Sequence, residues 1–315
     1  DFGGYNYRIN GDWIAYQHTR DKWVSEKFCD VFGPRRSPEE LVTQGHMNLA
    51  AALQLRLETL VLSQLHRAKE AFSQSKLCLS GGVALNCSLN GKIVDAGLFD
   101  EIFVQPASGD AGVSIGACYL AQKEHDSTLK PRKMHNFYLG SAFTNEEISA
   151  AFQKKGLSAD RLGNLSELTA ARLAAGKIVG WFQGSAEFGP RALGNRSILT
   201  RPFPVEMKEY LNSRVKFREE FRPFAPAVLF EYFDEYFDIK QESPHMLIAC
   251  VATTLASEKI PATVHIDNTC RVQTVKKENN ERFYHVLSAF YNLTGCPVLL
   301  NTSFNIKGQP IVNSP

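Results

Sequence analysis

Apolar side chains at Met47, Leu49, Ala50, Leu53, Leu55, Leu57, Leu60, Val61, Leu62 and Leu65 give a wide apolar face, flanked by Gln44, Glu58, Arg67 and Lys69. The pattern predicts a long helix of about five turns. Just ahead of it, Ser37-Pro38-Glu39-Glu40 has the composition of a helix start: a serine cap, a proline in the first turn, and acids near the positive end of the dipole. Residues 1–36 are aromatic and mixed in charge, show no strong period, and read as loops and short strands.

Past the long helix the pattern changes. Residues 76–79 form a short apolar strand that runs into Ser80-Gly81-Gly82 and a helix start. Residues 101–105 read as a second strand, followed by the small-residue loop 106–112 and another helix start. Successive strand, glycine loop and helix suit an α/β sheet whose ligand lies at the strand ends. Residues 123–135 are polar, charged and broken by Pro131, the composition of a linker. Beyond it, 145–156 and 166–176 read as helices and 178–182 as a buried strand. Residues 205–214 read as a short helix, 224–230 and 246–254 as strands, and 281–294 as a helix. The strand 297–300 then runs out into Asn301-Thr302-Ser303. The aromatic run 230–237 has helical spacing with interleaved acids, which favours a half-buried helix over a base-stacking platform.

Composition narrows the function classes. At 315 residues the chain is long enough for two domains, and its formal charge of +2 leaves any nucleic-acid partner dependent on a local patch. No nucleic-acid partner is expected. No apolar run approaches the roughly 20 residues of a membrane-spanning helix, so no membrane partner is expected either. The seven cysteines are scattered without CxxC spacing, which points to neither a disulfide framework nor a zinc knuckle and suits a reducing cytoplasm. A start at Asp1 and a stop at Asn313-Ser314-Pro315 read as cut ends, so a longer parent protein is expected.

The candidate chemistry concentrates in residues 184–225. There Glu187, Arg191, Arg196, Arg214, Lys216, Arg218 and Arg222 stand among glycines and prolines without the apolar spacing of a buried helix. Guanidinium forks match phosphate and carboxylate oxygens, so a loop-lined anion pocket is one reading and a solvated basic loop the other. Glycines at Gly81 and Gly82 would let backbone N–H groups approach a phosphate or ribose at a helix N-terminus. Asp110 lies between small residues at the mouth of such a site, where it is either a metal ligand or a helix cap. Asn301 and Ser303 offer amide and hydroxyl groups at a strand end.

Taken in order, LCLSGGVALNCSLNGK, VQPASGDAGVSIGA, FGPRALGNRSIL, NSRVKFREEFRPFAPAVL, CRVQTV and NTSFN closely resemble the O-carbamoyltransferases of the nodulation and antibiotic-tailoring type. That family includes the tobramycin and cephamycin carbamoyltransferases. The resemblance covers nearly all of the chain and implies an α/β protein. Residues 1–124 would be the C-terminal part of an actin/hexokinase-like transfer domain, 125–135 a linker, and 136–315 a YrdC-like domain that stops short of the family's last segment.

The implied reaction takes ATP, with Mg2+, carbamoyl phosphate and water to carbamoyladenylate, releasing pyrophosphate and phosphate. The carbamoyl group then passes to a hydroxyl of a small acceptor such as a sugar, aminoglycoside or other natural product. Carried over by motif, Lys216 and Arg222 look like ATP-phosphate ligands and, with Ser303, the catalytic set. Asn301 and Ser303 complete that site, and Arg191 and Arg271 look like carbamoyl phosphate ligands. Gly81, Gly82 and Asn86 match adenylate-holding positions of the transfer domain, and Asp110 matches a ligand of the family's Fe2+.

The chain departs from the family pattern where the histidine-bearing metal motif would precede Asp1, and no HxxxH occurs among its eight histidines. Ser185-Ala186 also stands where many relatives carry an arginine and a larger residue. Two other functions fit parts of the pattern. One is a threonylcarbamoyladenylate-type synthase serving tRNA modification, and the other a non-enzymatic module that binds RNA.

Overall fold

A computed structural model describes residues 7–130, 134 and 136–315. The chain divides into two compact units, residues 1–75 and 76–315. The sequence reading instead places a boundary within 125–135; of that stretch, 131–133 and 135 lie outside the described residues.

In the first unit, an antiparallel bridge joins Ile14 to Val24, and the short helix α1 (Glu26–Phe32) follows, capped by the Ser25 hydroxyl. Phe28 and Phe32 meet in a tilted pair along one side of α1, and Phe32 also meets Trp13. The sequence reading had no helix here, because seven residues are too few to establish a period. The long helix α2 (Gln44–Phe72) is present and runs 29 residues, well beyond the expected five turns. Its start is not at Ser37. Glu40 curls back to accept the Ser37 N–H at 2.9 Å, and Arg36 donates to the Ser37 carbonyl at 2.9 Å, closing 37–40 into a turn. The cap is Thr43, in a reciprocal box with His46.

In the second unit, β1 (Lys76–Leu79) and β2 (Glu101–Val104) pair in parallel, with α3 (Cys87–Asp95) between them in sequence and α4 (Ala111–His125) after them. Gly91 lets α3 press against β7 (Ala249–Ala252): a Cβ there would lie 2.1 Å from the Ala249 carbonyl oxygen. Buried Asn90 fixes the same contact by donating to the carbonyls of Ala84 and Leu247 at 2.8 and 2.7 Å. Gln241 pairs with the backbone of Ile102 in both directions, at 3.2 and 2.9 Å, so a side-chain amide replaces a strand at that point on the edge of β2.

The larger part of this unit is built on a five-stranded mixed sheet in the order β3 (Val179–Phe182), β4 (Arg196–Thr200), β10 (Val298–Ser303), β5 (Ala225–Leu229), β9 (Gln273–Val275). All neighbours are antiparallel except β5 and β9. A small antiparallel sheet joins β6 (Phe237–Asp238), β7 and β8 (Thr269–Arg271). Helices α5 (Asn145–Lys154), α6 (Leu165–Ala174), α7 (Met207–Leu211), α8 (Phe233–Tyr236), α9 (Thr254–Lys259) and α10 (Glu281–Thr294) complete the unit. Phe283, Val286, Leu287 and Phe290 put one face of α10 into the core with Leu173, Leu199 and Val228. Asn280 caps that helix, and Gly295 ends it in the left-handed region.

Two expectations change here. Residues 196–200 are a buried strand rather than part of a loop, and Asn301-Thr302-Ser303 belong to β10 itself. Among the described residues no helix is long and apolar enough to cross a membrane.

Candidate functional site

The loop between β3 and β4 is shaped by a carboxylate of its own. Glu187 Oε1 accepts the N–H groups of Leu193, Asn195 and Arg196 at 2.6, 2.8 and 3.2 Å. Gly194 closes the turn at φ +102, and a Cβ there would lie 2.4 Å from Phe283. Gln183 holds the Gly194 carbonyl at 2.7 Å, and Ser197 takes the Gly194 N–H. Arg191 is carried on this braced loop.

Not every arginine of the stretch serves a pocket. Arg196 is 1% exposed, lies over the Phe182 ring, and donates to the carbonyls of Gln183, Asn195, Ser141 and Gly184. It is a structural brace. Arg214 is exposed to solvent.

The remaining cations converge. Half-buried Arg191 is pushed down to about 10, first by burial and then by nearby Arg271, with the Cys87 thiol acting the other way. Arg218 is likewise pushed down to about 10 by burial, then by Arg222 and Arg271, against Glu219. All remain cationic at neutral pH. Arg222 is exposed and paired with Glu219 at 2.9 Å. Among the described residues neither Arg191 nor Arg271 meets a carboxylate in an ion pair, and the Nε of each is buried without a partner. Like charges held together in partial burial are costly unless an anion joins them. His265, held by Thr269 at 3.0 Å, lies near Arg271 and is pushed down to about 4 by burial.

Lys216 is 3% exposed at the end of a π turn, Asn212–Lys216. Its ammonium faces the Ser303 carbonyl at 2.6 Å, Ser303 Oγ at 3.2 Å, and both the carbonyl and Oδ1 of Asn305 at 2.9 Å. Burial, then Arg218, pushes it down to about 8. Asn301, 1% exposed, donates from Nδ2 to Ala192 and Gln273, leaving Oδ1 buried without a donor.

The first group of expected residues is built differently. Gly81 stands at φ +97 with its N–H given to the Ser108 carbonyl, and Gly82 faces open space where a Cβ would be. Asn86 caps α3 by accepting from the Leu89 N–H at 3.0 Å. Asp110 is exposed at the start of α4, and its side chain makes no capping bond there. No group of three or more His, Cys, Asp or Glu among the described residues could hold a metal ion. The two groups approach each other at Gly189, where a Cβ would lie 2.8 Å from the Pro106 carbonyl, and at Arg191 near Cys87.

Lys216 and Ser303 are thus in contact, while Arg191, Arg271, Arg218 and Arg222 form a run of neighbouring cations. Sequence reasoning placed Arg218 in the cationic stretch but gave it no ligand role, although its place between Lys216 and Arg222 was the available signal. It also missed Glu187 as the loop's organiser and Gln273 as a support.

A family model described as Carbamoyltransferase N-terminus matches residues 3–119, and one described as Carbamoyltransferase C-terminus matches residues 170–315. An uncharacterized protein of Synechocystis sp. is 41% identical over 344 residues, covering 98% of this chain and 55% of that protein. Nodulation protein NolO of Bradyrhizobium diazoefficiens is 40% identical over 320 residues, covering 100% of this chain and 56% of its own length. The chain therefore spans about half the length of the curated relatives it matches. Among solved structures, T. kodakarensis HypF aligns with 18% identity and a TM-score of 0.36, over 50% of this chain and 19% of that one.

Proposed function

Because this chain belongs to the carbamoyltransferase family, we propose that it supplies the adenylate-forming site and part of the transfer site of an ATP-dependent O-carbamoyltransferase. Residues 136–315 are the YrdC-like domain, in which water releases phosphate from carbamoyl phosphate and the resulting carbamate attacks the α-phosphorus of ATP, giving carbamoyladenylate and expelling pyrophosphate. Residues 1–124 belong to the actin/hexokinase-like domain that passes the carbamoyl group to a hydroxyl, and 125–135 link the two. The observation that carries this reading is the run of half-buried cations at Arg191, Arg218 and Arg271, for which two polyanionic substrates supply the absent negative charge.

In this reading Arg191 and Arg271 hold the phosphate of carbamoyl phosphate. Lys216 and Arg222 hold the phosphates of ATP, which arrives with its Mg2+, and Asn301 and Ser303 complete the wall. Lys216 has three N–H donors spread over four oxygens, so it turns to a phosphate only by giving up part of that cage. Held cations neutralise charge as the phosphoryl group transfers, which is most of the catalytic task in such reactions. Gly81, Gly82 and Asn86 then receive the adenylate near Arg191.

The Fe2+ implied for the transfer site would polarise the carbamoyl carbonyl as a Lewis acid. Asp110 alone does not fit that ion, since the described residues bring no further pair of ligands to it.

The test is carbamoyl phosphate-dependent ATP–pyrophosphate exchange. Lys216→Ala and Arg222→Ala should each lower it roughly a hundredfold or more with an unchanged circular dichroism spectrum. Unchanged exchange in both variants would overturn the assignment.

A further inference from the structure

Two like charges, Arg191 and Arg271, sit close enough to repel, so something other than their side chains must hold their backbones in place. A relay of two amides spans the gap. Gln273, two residues after Arg271, donates from Nε2 to the carbonyl of Leu193, two residues after Arg191, at 2.9 Å. Its Oε1 accepts from Asn301 Nδ2 at 2.9 Å, and Asn301 donates in turn to the Ala192 carbonyl at 3.2 Å.

Backbone carbonyls only accept, so both amide nitrogens must face them and neither amide can be turned over. Gln273 is 2% exposed, which puts it behind the cations rather than among the groups a ligand meets first. The Tyr138 hydroxyl adds a second donor to the Leu193 carbonyl at 3.0 Å.

We propose that Gln273 is a positioning residue for the donor-phosphate site, setting the spacing of Arg191 and Arg271 by clamping the 192–193 turn to the chain that follows Arg271. This rests on the reading that those two arginines hold the phosphate of carbamoyl phosphate. Gln273 touches no reacting atom; it acts through the loop. Removing the clamp leaves both guanidinia in the protein but frees them to separate, and displacements on the order of 1 Å in such sites cost up to about a hundredfold.

The experiment uses near-isosteric variants of the whole chain, Gln273→Glu and Gln273→Met, with inorganic phosphate and carbamoyl phosphate as probes in calorimetric titrations from pH 5 to 9. Ionised, the glutamate keeps an acceptor for Asn301 but has no hydrogen for the Leu193 carbonyl. Protonated, it restores both bonds, and burial raises its pKa. Relative to wild type at the same pH, Gln273→Glu should bind about tenfold or more weaker at high pH and recover as pH falls. Gln273→Met should be weaker by a similar factor at every pH.

Affinities within twofold of wild type for both variants would overturn the proposal, as would a Glu deficit that does not change with pH. If Gln273→Glu fails to fold, the Met variant decides alone. Arg191→Ala separates the two levels of the argument. If it binds phosphate as wild type does, the site itself is misassigned. If it loses binding while the Gln273 variants do not, only the clamp fails.

Discussion

The loops after β1 and β2 and the loop between β3 and β4 were both expected to meet ligand, yet they differ in how firmly their expected ligand-facing positions are held. In the latter, Glu187, Gln183, Gln273, Asn301 and Tyr138 satisfy backbone groups from Ala192 to Arg196, and the glycine at the turn has no spare room. In the former, Gly82 faces open space and Asp110 faces solvent. A braced loop has met its ordering cost before any ligand arrives, so binding energy goes into contacts. Open positions such as Gly82 and Asp110 leave that cost to the binding event.

The largest test of the contrast is a single methyl group. Gly194→Ala meets Phe283 and a positive φ together, and should destabilise the fold by about 3–5 kcal/mol. Gly82→Ala should stay within about 0.5 kcal/mol of wild type. Urea unfolding measures both, and equal losses would erase the contrast. Next comes the carboxylate. Glu187→Ala strands three N–H groups and should cost about 2–4 kcal/mol, whereas Asp110→Ala should be nearly silent in stability.

The smallest effect is one of pH. Lys216 has a folded-state pKa of about 8 against an unfolded value of 10.5, so the folded protein releases that proton first. Stability from this group therefore rises with pH between those values, while affinity for ATP phosphates should fall several-fold as pH climbs through about 8. A Lys216→Arg variant that keeps the same fall would remove Lys216 as its cause.

Period and capping chemistry made much of the frame legible. The span of α10 was readable, as were β1, β2 and β3. What escaped was structure whose signal is not hydropathic. All five residues of β4 are buried, including an arginine, two hydroxyl residues and only two large apolar side chains, so no alternation marks it. Residue pattern alone likewise set Arg196 beside Arg191 in the cationic stretch, and only the family resemblance singled out Arg191. Two arginines five residues apart in a loop-like sequence carry no sign of which one feeds carbonyls and which one keeps a buried Nε without a partner. Thr43 was passed over for Ser37 because a capping box with histidine looks weaker in sequence than a Ser-Pro-Glu-Glu start. Gln273 had no signal beyond its place after Arg271.

Glu187 has one more consequence, in the time domain. By filling the loop's N–H groups with an internal anion, it lets the loop keep its shape when no phosphate is present. A departing phosphate then leaves no stranded backbone donors behind it. On the proposed reading of Arg191 as a phosphate ligand, product escape would be set by the breaking of side-chain contacts alone, and the loop would be ready for the next donor without a refolding pause.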